Sequence, residues 1–91
     1  MAYPKDPSAI LDYKIDWSKW LGTDTISSKS GSVTWSVPKG LTTQRTSNNQ
    51  TSATIWLSGG SLGSTYHVRC KIVTTAGRTD ERSFDIFIMN R

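Results

Sequence analysis

Hydrophobic and polar side chains alternate from Thr65 to Ile72, within the predicted strand 65–75. The apolar positions are Tyr66, Val68, Cys70 and Ile72. This spacing of two residues is the one at which successive side chains of a β-strand point to opposite faces. The pattern therefore predicts a strand with one face in the protein core and the other face in solvent.

Six other short segments, separated by glycine, proline or asparagine, are also rich in strand-forming residues. These predicted strands are 10–16, 23–28, 32–37, 41–47, 53–58 and 81–90. The side chains expected to face inward are Leu11, Tyr13, Ile15, Val33, Trp35, Val37, Ala53, Ile55, Leu57, Phe84, Ile86 and Ile88. Seven short strands at this spacing predict an all-β protein in which two sheets pack as a sandwich.

A tyrosine at the start of the penultimate strand narrows this prediction. Tyr66 follows the turn around Gly63, as the tyrosine of the immunoglobulin-like tyrosine corner does. Cys70 stands four residues further on and is the single cysteine, so it has no partner for an internal disulfide. We expect an immunoglobulin-like sandwich without a disulfide, as suits a reducing cell interior.

The sequence DWSKWLG, at 16–22, interrupts the strand pattern. Asp16 is placed to cap a one-turn helix and Gly22 to end it. Trp17, Trp20 and Leu21 then share one side of that turn. We expect one tryptophan to close an end of the sandwich, and the pair to form a contact shared with a neighbouring subunit.

The first nine residues differ in character from the rest of the chain. Their prolines exclude helix and inner strand, so we divide the chain into an extended arm (1–9) and a sandwich domain (10–91). Because the arm has few apolar groups, we expect Tyr3, Pro4 and Pro7 to contact another chain, with Lys5 and Asp6 at the rim. The alternative is an arm that folds back along the edge of its own first strand.

Composition and charge limit the function classes. The chain has 91 residues and a net charge of +4, and residues 25–79 contain six cations and no carboxylate. This balance favours an acidic partner, either nucleic acid or a protein surface. Because the cations are dispersed over several strands and loops, nucleic acid is the less favoured. The sequence lacks a signal peptide pattern and an apolar run long enough for a membrane span, so we expect no membrane partner.

Few residues suggest catalysis. His67 is the single histidine and is predicted to lie on an outer strand face, whereas Cys70 is predicted to be buried. The adjacent carboxylates Asp80 and Glu81 point to opposite faces of a strand and do not form a metal site. We therefore expect no enzyme activity, no metal, no cofactor and no small-molecule substrate.

Large apolar side chains are in surplus instead. The chain contains four tryptophans, more than a core this small absorbs. Trp56, Phe87 and Met89 are predicted to face outward, and Arg69 and Lys71 share such a face. Aromatic residues, methionine and arginine are enriched at protein interfaces, so these residues are candidate contacts with other proteins.

Five segments together resemble a known family. They are YPKDP (3–7), LDYKIDWS (11–18), TWSVP (34–38), ATIWLSGG (53–60) and TTAGRTDERS (74–83). The set is similar to small structural proteins of tailed bacteriophages, described as fibre–tail adaptor proteins, over nearly the whole chain.

The resemblance implies a non-enzymatic virion protein, present in many copies, that joins tail fibres to the tail or neck. Its expected partners are copies of itself and other virion proteins: a tail adaptor or nozzle, a tail fibre, and the portal or capsid. Such a protein is assembled in the host bacterial cytoplasm. Two alternatives remain open at this stage, a capsid decoration protein and a nucleic-acid-binding β domain.

Overall fold

Extended segments dominate residues 2–89, the part of the chain that the computed structural model describes. The strands are β1 (Ala2–Lys5), β2 (Leu11–Asp16), β3 (Val33–Ser36), β4 (Leu41–Asn48), β5 (Ser52–Gly59), β6 (Thr65–Val73) and β7 (Thr79–Ile88). A single turn of helix, α1 (Ser18–Leu21), follows β2. In this range no helix has the length and apolar character needed to cross a membrane.

The strands form two sheets that pack face to face. One sheet has the order β1-β7-β6-β3 and the other the order β2-β5-β4. β1 pairs in parallel with β7, and the other neighbouring strands are antiparallel. This is the immunoglobulin-like sandwich that the alternation and the tyrosine position predicted.

The core follows the predicted alternation. Along β6, each even-numbered residue from Tyr66 to Ile72 is buried and each odd-numbered residue from Thr65 to Lys71 is exposed. Two clusters fill the space between the sheets, one along the middle strands and one beside α1. Half-buried Trp35 packs against both clusters, so its predicted inward orientation is confirmed.

The tyrosine corner is formed as predicted. The backbone amide of Ser61 donates a hydrogen bond of 2.9 Å to the phenolic oxygen of Tyr66. The ring of Tyr66 lies against Gly40, which has a φ of 111° and directly precedes β4. The contact ties the loop before β6 to the start of β4 and fixes one end of the sandwich.

The predicted strand at 23–28 is wrong. Only Ile26 pairs there, through an isolated bridge to Thr74. The amides of Ile26 and Ser27 donate to the carbonyls of Gln50 and Val73, in different parts of the fold, so no continuous ladder forms. Nearby amides are taken by short polar side chains: the Asp24 carboxylate accepts the amide of Thr25, and the Ser27 hydroxyl accepts the amide of Lys29. Such local bonds compete with a strand ladder. Ile26 is nevertheless buried, so the sequence identified its side chain correctly.

The predicted arm forms a strand, β1, which brings the number of strands to seven among the described residues. β1 forms the edge of the four-stranded sheet, and Pro4 is tolerated there because an edge strand can lack a ladder donor. The ring of Tyr3 packs against Tyr13 and Phe84, each with a centroid distance of 5.5 Å. The expectation that the arm has too few apolar groups to dock on its own domain is therefore wrong, and the edge that the arm covers is that of β7.

Lys5 is also placed differently from the expectation. It lies at a buried position, and its ammonium group donates to the carbonyl oxygens of Gly59 at 2.7 Å and Asp6 at 2.9 Å. Burial lowers the pKa of Lys5 below its usual value. Lys5 thus anchors β1 to the end of β5 and does not lie at the rim of an interface. The parts of the predicted arm and last strand at positions 1 and 90 fall outside the described residues.

Candidate protein-interaction surfaces

Trp17 closes the end of the sandwich beside α1. Its side chain is fully buried, and its indole Nε1–H donates to Oδ2 of Asp80 at 3.0 Å. The guanidinium of Arg82 lies 5.4 Å from the Trp17 ring centroid. Because Trp17 has no exposed surface, it packs in the core of its own domain. This corrects the prediction that Trp17 contacts another protein.

The helical turn forms as the residues around it predict. The backbone amide of Ser18 donates to Oδ1 of Asp16 at 2.8 Å, and this bond lowers the pKa of Asp16. Gly22 ends the turn with a φ of 63°. The turn places Leu21 with Trp17 in the core and leaves Trp20 at the boundary with solvent.

Trp20 lies beneath an arginine from the loop between β6 and β7. The guanidinium carbon of Arg78 is 4.4 Å from the centroid of the Trp20 ring. The same guanidinium donates to the carbonyl of Leu21 at 3.0 Å and to Oδ2 of Asp24 at 3.1 Å. Trp20 is half-buried, so it retains a surface that a partner can contact, and that contact remains a proposal.

Asp24 is the acceptor that orders this end. Hydrogen bonding by Thr74, with further bonds from Thr25, Arg78 and Ala76, lowers the pKa of Asp24 from 3.8 to about 2. The carboxylate ties the segment before β3 to the loop between β6 and β7. The negative charge of Asp24 therefore stabilises the two segments that surround Trp20.

This arrangement predicts a pH dependence. Because the pKa of Asp24 is depressed in the folded state, its ionised form stabilises the fold above about pH 4, and that contribution is lost as the pH falls toward 2. Asp24→Asn should lower the melting temperature at neutral pH, and the difference from wild type should shrink over that acid range. Melting curves at several pH values measure it, with Asp12→Asn, at an exposed position of β2, as the control. A difference that stays constant with pH would contradict the prediction.

The outer face of the four-stranded sheet carries the other predicted side chains. Arg69 and Lys71 are exposed on β6 and lie opposite Ser83 and Glu81 of β7. Phe87 is exposed further along the same face of β7. The predicted combination of cations and an exposed aromatic group on one face is therefore present, although the paired residues His67 and Asp85 lie between Arg69 and Phe87 on that face.

Exposed apolar side chains gather where β7 ends. Among the described residues the large apolar side chains with the greatest exposure are Ile10 (60%), Leu62 (58%), Met89 (39%), Phe87 (38%) and Tyr3 (36%). We call the group formed by Ile10, Leu62, Phe87 and Met89 the apolar end. Phe87 and Met89 were predicted to face outward, and Pro4 lies beside Phe87 in the sheet.

Backbone pairing brings the apolar end together. The amide of Gly63 donates to the carbonyl of Ile88 at 2.9 Å, which places the loop containing Leu62 against the end of β7. The amide of Met89 donates to the carbonyl of Lys5 at 2.9 Å, and the Lys5 ammonium reaches Gly59. Because Ile10 precedes the first residue of β2, which pairs near the end of β5, it lies at the same end.

Sequence reasoning missed Ile10 and Leu62 as surface residues. Ile10 was assigned to the start of a strand, and Leu62 lies in a turn, where alternation gives no orientation. A signal was available for Leu62, because it is a large apolar side chain among glycines and serines in a loop. Loops lie on the surface, so an apolar residue there is exposed unless something covers it.

Trp56 lies on the outer face of the three-stranded sheet, as predicted. The guanidinium carbon of Arg45, on neighbouring β4, is 4.1 Å from the centroid of the Trp56 ring. Asp12 of β2 stands opposite Trp56 on the other side. The half-buried ring is thus covered by its neighbours on this face.

Groups able to do chemistry are placed as the sequence indicated. Cys70 is fully buried, and burial raises the pKa of its thiol to about 12. Nδ1 of exposed His67 lies 2.6 Å from Oδ1 of Asp85 on the outer sheet face. Over residues 2–89, no group of three or more histidine, cysteine or carboxylate side chains is close enough to hold a metal ion.

Fold and surface together define a small immunoglobulin-like sandwich whose exposed apolar groups collect at one end. The model of one protein family, described as podophage GP4 fiber-tail adaptor protein gp77, matches residues 5–87. The chain belongs to this family, and it is accordingly a bacteriophage tail structural protein of the fibre–tail adaptor type. The resemblance found in the sequence is confirmed. No curated protein is similar enough to the chain to add a further comparison.

Proposed function

We propose that this protein is a non-enzymatic component of the virion that links tail fibres to the tail or neck through protein–protein contacts. Several copies act together, and each copy contacts other virion proteins and its neighbours. Family membership supports the adaptor role. The observation that carries the contact mechanism is the apolar end, because several large apolar side chains left exposed at one end of a small domain are typical of an interaction surface.

Three arginines already make contacts within the domain, and this supports a protein partner over nucleic acid. Arg45 stacks on Trp56, Arg78 on Trp20, and Arg82 contacts Asp80 at 3.6 Å. Lys5 is buried. Binding to nucleic acid relies on cations that are free to neutralise several phosphates. The positive charge of this chain is instead partly used to hold its own rings and loops.

The apolar end predicts an assembly defect without a folding defect. In the variant Ile10→Ser/Leu62→Ser, incorporation into particles should fall by roughly 10-fold or more, since central apolar contacts dominate interface energies. The melting temperature of the isolated protein should hardly change, because both side chains are mostly exposed. Incorporation is measured by quantitative mass spectrometry of purified particles produced with each variant.

Ala76→Ser provides the matched control. Ala76 is exposed in the loop at the opposite end of the sandwich, so this variant should be incorporated normally. Normal incorporation of the double serine variant would contradict the proposed role of the apolar end. The same particles give the copy number: a value that matches the symmetry of the tail supports the adaptor position, whereas a value that matches the capsid supports decoration.

A further inference from the structure

Most of β4 is exposed at the edge of its sheet. Of its eight residues only Leu41 is buried, and 42–48 are exposed although their side chains alternate between two faces. β4 is an edge strand, and its ladder partner is β5. The opposite sheet therefore does not cover it, and a strand added beside it would meet no obstacle from that sheet.

The other edges of the two sheets are blunted. β1 carries Pro4, and the edge of β2 is capped where Nη1 of Arg82 donates to the carbonyl of Asp16 at 3.0 Å. β3 has four residues and ends just before Val37 and Pro38. Prolines, short strands, bulges, charged side chains and covering groups are the usual means of protecting an edge. Among the described residues β4 has neither a proline nor a covering group, and its bulge between Thr43 and Arg45 leaves the regular run 45–48 open to pairing.

Charge indicates what an added strand must carry. Arg45 is the single charged residue in 41–59, the hairpin formed by β4 and β5. Across the outer face, Asp12, Trp56 and Arg45 stand in one row of paired residues, and the guanidinium lies over the ring. The next position in that row, on an added strand, faces Arg45. A carboxylate there completes the row, because opposite charges on directly facing residues stabilise a strand pair.

A second copy of β4 does not fit this requirement. Antiparallel pairing of two β4 strands about a two-fold axis brings the two Arg45 side chains to facing or diagonal positions in every register with good overlap. Those positions are about 5–8 Å apart, where like charges destabilise the pair. The occupant is therefore a strand of different sequence.

We propose that β4 accepts an extended segment of another virion protein as an added strand, with an aspartate or glutamate opposite Arg45. This inference rests on the proposed function, since it assigns one of the adaptor's partner contacts to a particular edge. Main-chain hydrogen bonds provide the affinity in strand addition, and side chains on the two exposed faces provide specificity. The regular run 45–48, beyond the bulge, is the main pairing site.

Hydrogen–deuterium exchange of the β4 amides, measured in the isolated chain and in intact particles, tests the proposal. In the isolated chain, amides that bond to β5 should be protected, and the alternate ones should exchange freely. In particles the alternate amides should exchange roughly 100-fold more slowly, as mass action gives for a partner at about 100 times its dissociation constant. Protection equal to that of the isolated chain would overturn the inference.

This measurement separates the inference from the proposed function. If the protein is absent from particles, the adaptor role itself fails. If it is present and 42–48 exchange as in the isolated chain, the adaptor role stands and strand addition at β4 is refuted. Uniform slowing of all β4 amides, without alternation, would also refute strand addition, because it indicates that a surface covers the strand from one face.

Charge substitutions and crosslinking identify the occupant. Arg45→Glu should reduce incorporation by roughly 10-fold or more, the effect of placing like charges at a facing pair, whereas Arg45→Lys should retain most of it. Melting temperatures of both isolated variants show whether the loss of the contact with Trp56 affects folding. A photoreactive residue at Thr46 should capture a different virion protein with an acidic extended segment. Capture of a second copy, or equal incorporation of both variants, would contradict the proposal.

Discussion

Trp17→Ala is expected to cause the largest loss of stability in the isolated protein, with a strongly lowered melting temperature. Removing a fully buried tryptophan costs about 3–5 kcal/mol, and domains of this kind are stable by about 5–15 kcal/mol in total. The variant also loses the 3.0 Å hydrogen bond to Asp80 and the stacking surface for Arg82. Thermal melting followed by circular dichroism measures the change.

Trp20→Ala is the matched comparison, because the two tryptophans belong to the same turn. Trp20 is half-buried beneath Arg78, so its truncation should lower the melting temperature clearly less than that of Trp17. The two results together assign Trp17 to the fold and leave Trp20 available for a partner. Equal losses, or a melting temperature for Trp17→Ala within a few degrees of wild type, would contradict the assignment.

Gly40→Ala is expected to cause the second large loss of stability. Gly40 has a φ of 111°, and an added Cβ would lie 2.7 Å from Cε1 and 2.9 Å from the oxygen of Tyr66. The backbone strain costs about 1–3 kcal/mol, and overpacking costs about 1–3 kcal/mol more. The ring cannot move aside without breaking the hydrogen bond from Ser61. Chemical denaturation of the variant measures the sum.

Gly31→Ala separates the two costs. Gly31 also has a positive φ, of 84°, but an added Cβ there meets no atom within 4 Å. This control should therefore show the strain cost without the clash, and it should be destabilised less than Gly40→Ala. If the two variants lose the same stability, the contact between Gly40 and Tyr66 does not constrain the fold as inferred.

The arrangement of the two ends has a consequence for assembly. At the α1 end, Trp17 and Trp20 are covered by Arg82 and Arg78, so most of that apolar surface is already used within the domain. At the opposite end, no described residue covers Ile10 or Leu62 enough to bring its exposed fraction below half. We therefore expect partner contacts to be stronger at the apolar end than around α1.

Local sequence patterns are enough to predict which side chains face the core. The period of two in β6 and β7 predicted burial of Val68, Ile72 and Ile86, and the structure confirms it. The position of Tyr66 after a glycine turn predicted the tyrosine corner, and Asp16 predicted the start of α1. These features depend on local geometry, in which a residue and its near neighbours fix backbone direction, so a linear pattern contains them.

Which segments pair and what covers each surface depend on contacts between residues far apart in the sequence. Alternation does not show that residues 2–5 form a strand whereas Ile26 forms a single bridge. That outcome depends on which edge of a distant strand is free. Burial of Lys5 depends on the carbonyl of Gly59, 54 residues away, and a lysine alone predicts exposure. The apolar end and the uncovered edge of β4 likewise exist because sheet packing brings Ile10 and Leu62 to the same end and leaves the outer edge of β4 unpaired. Long-range packing sets these features, and the local pattern does not encode it.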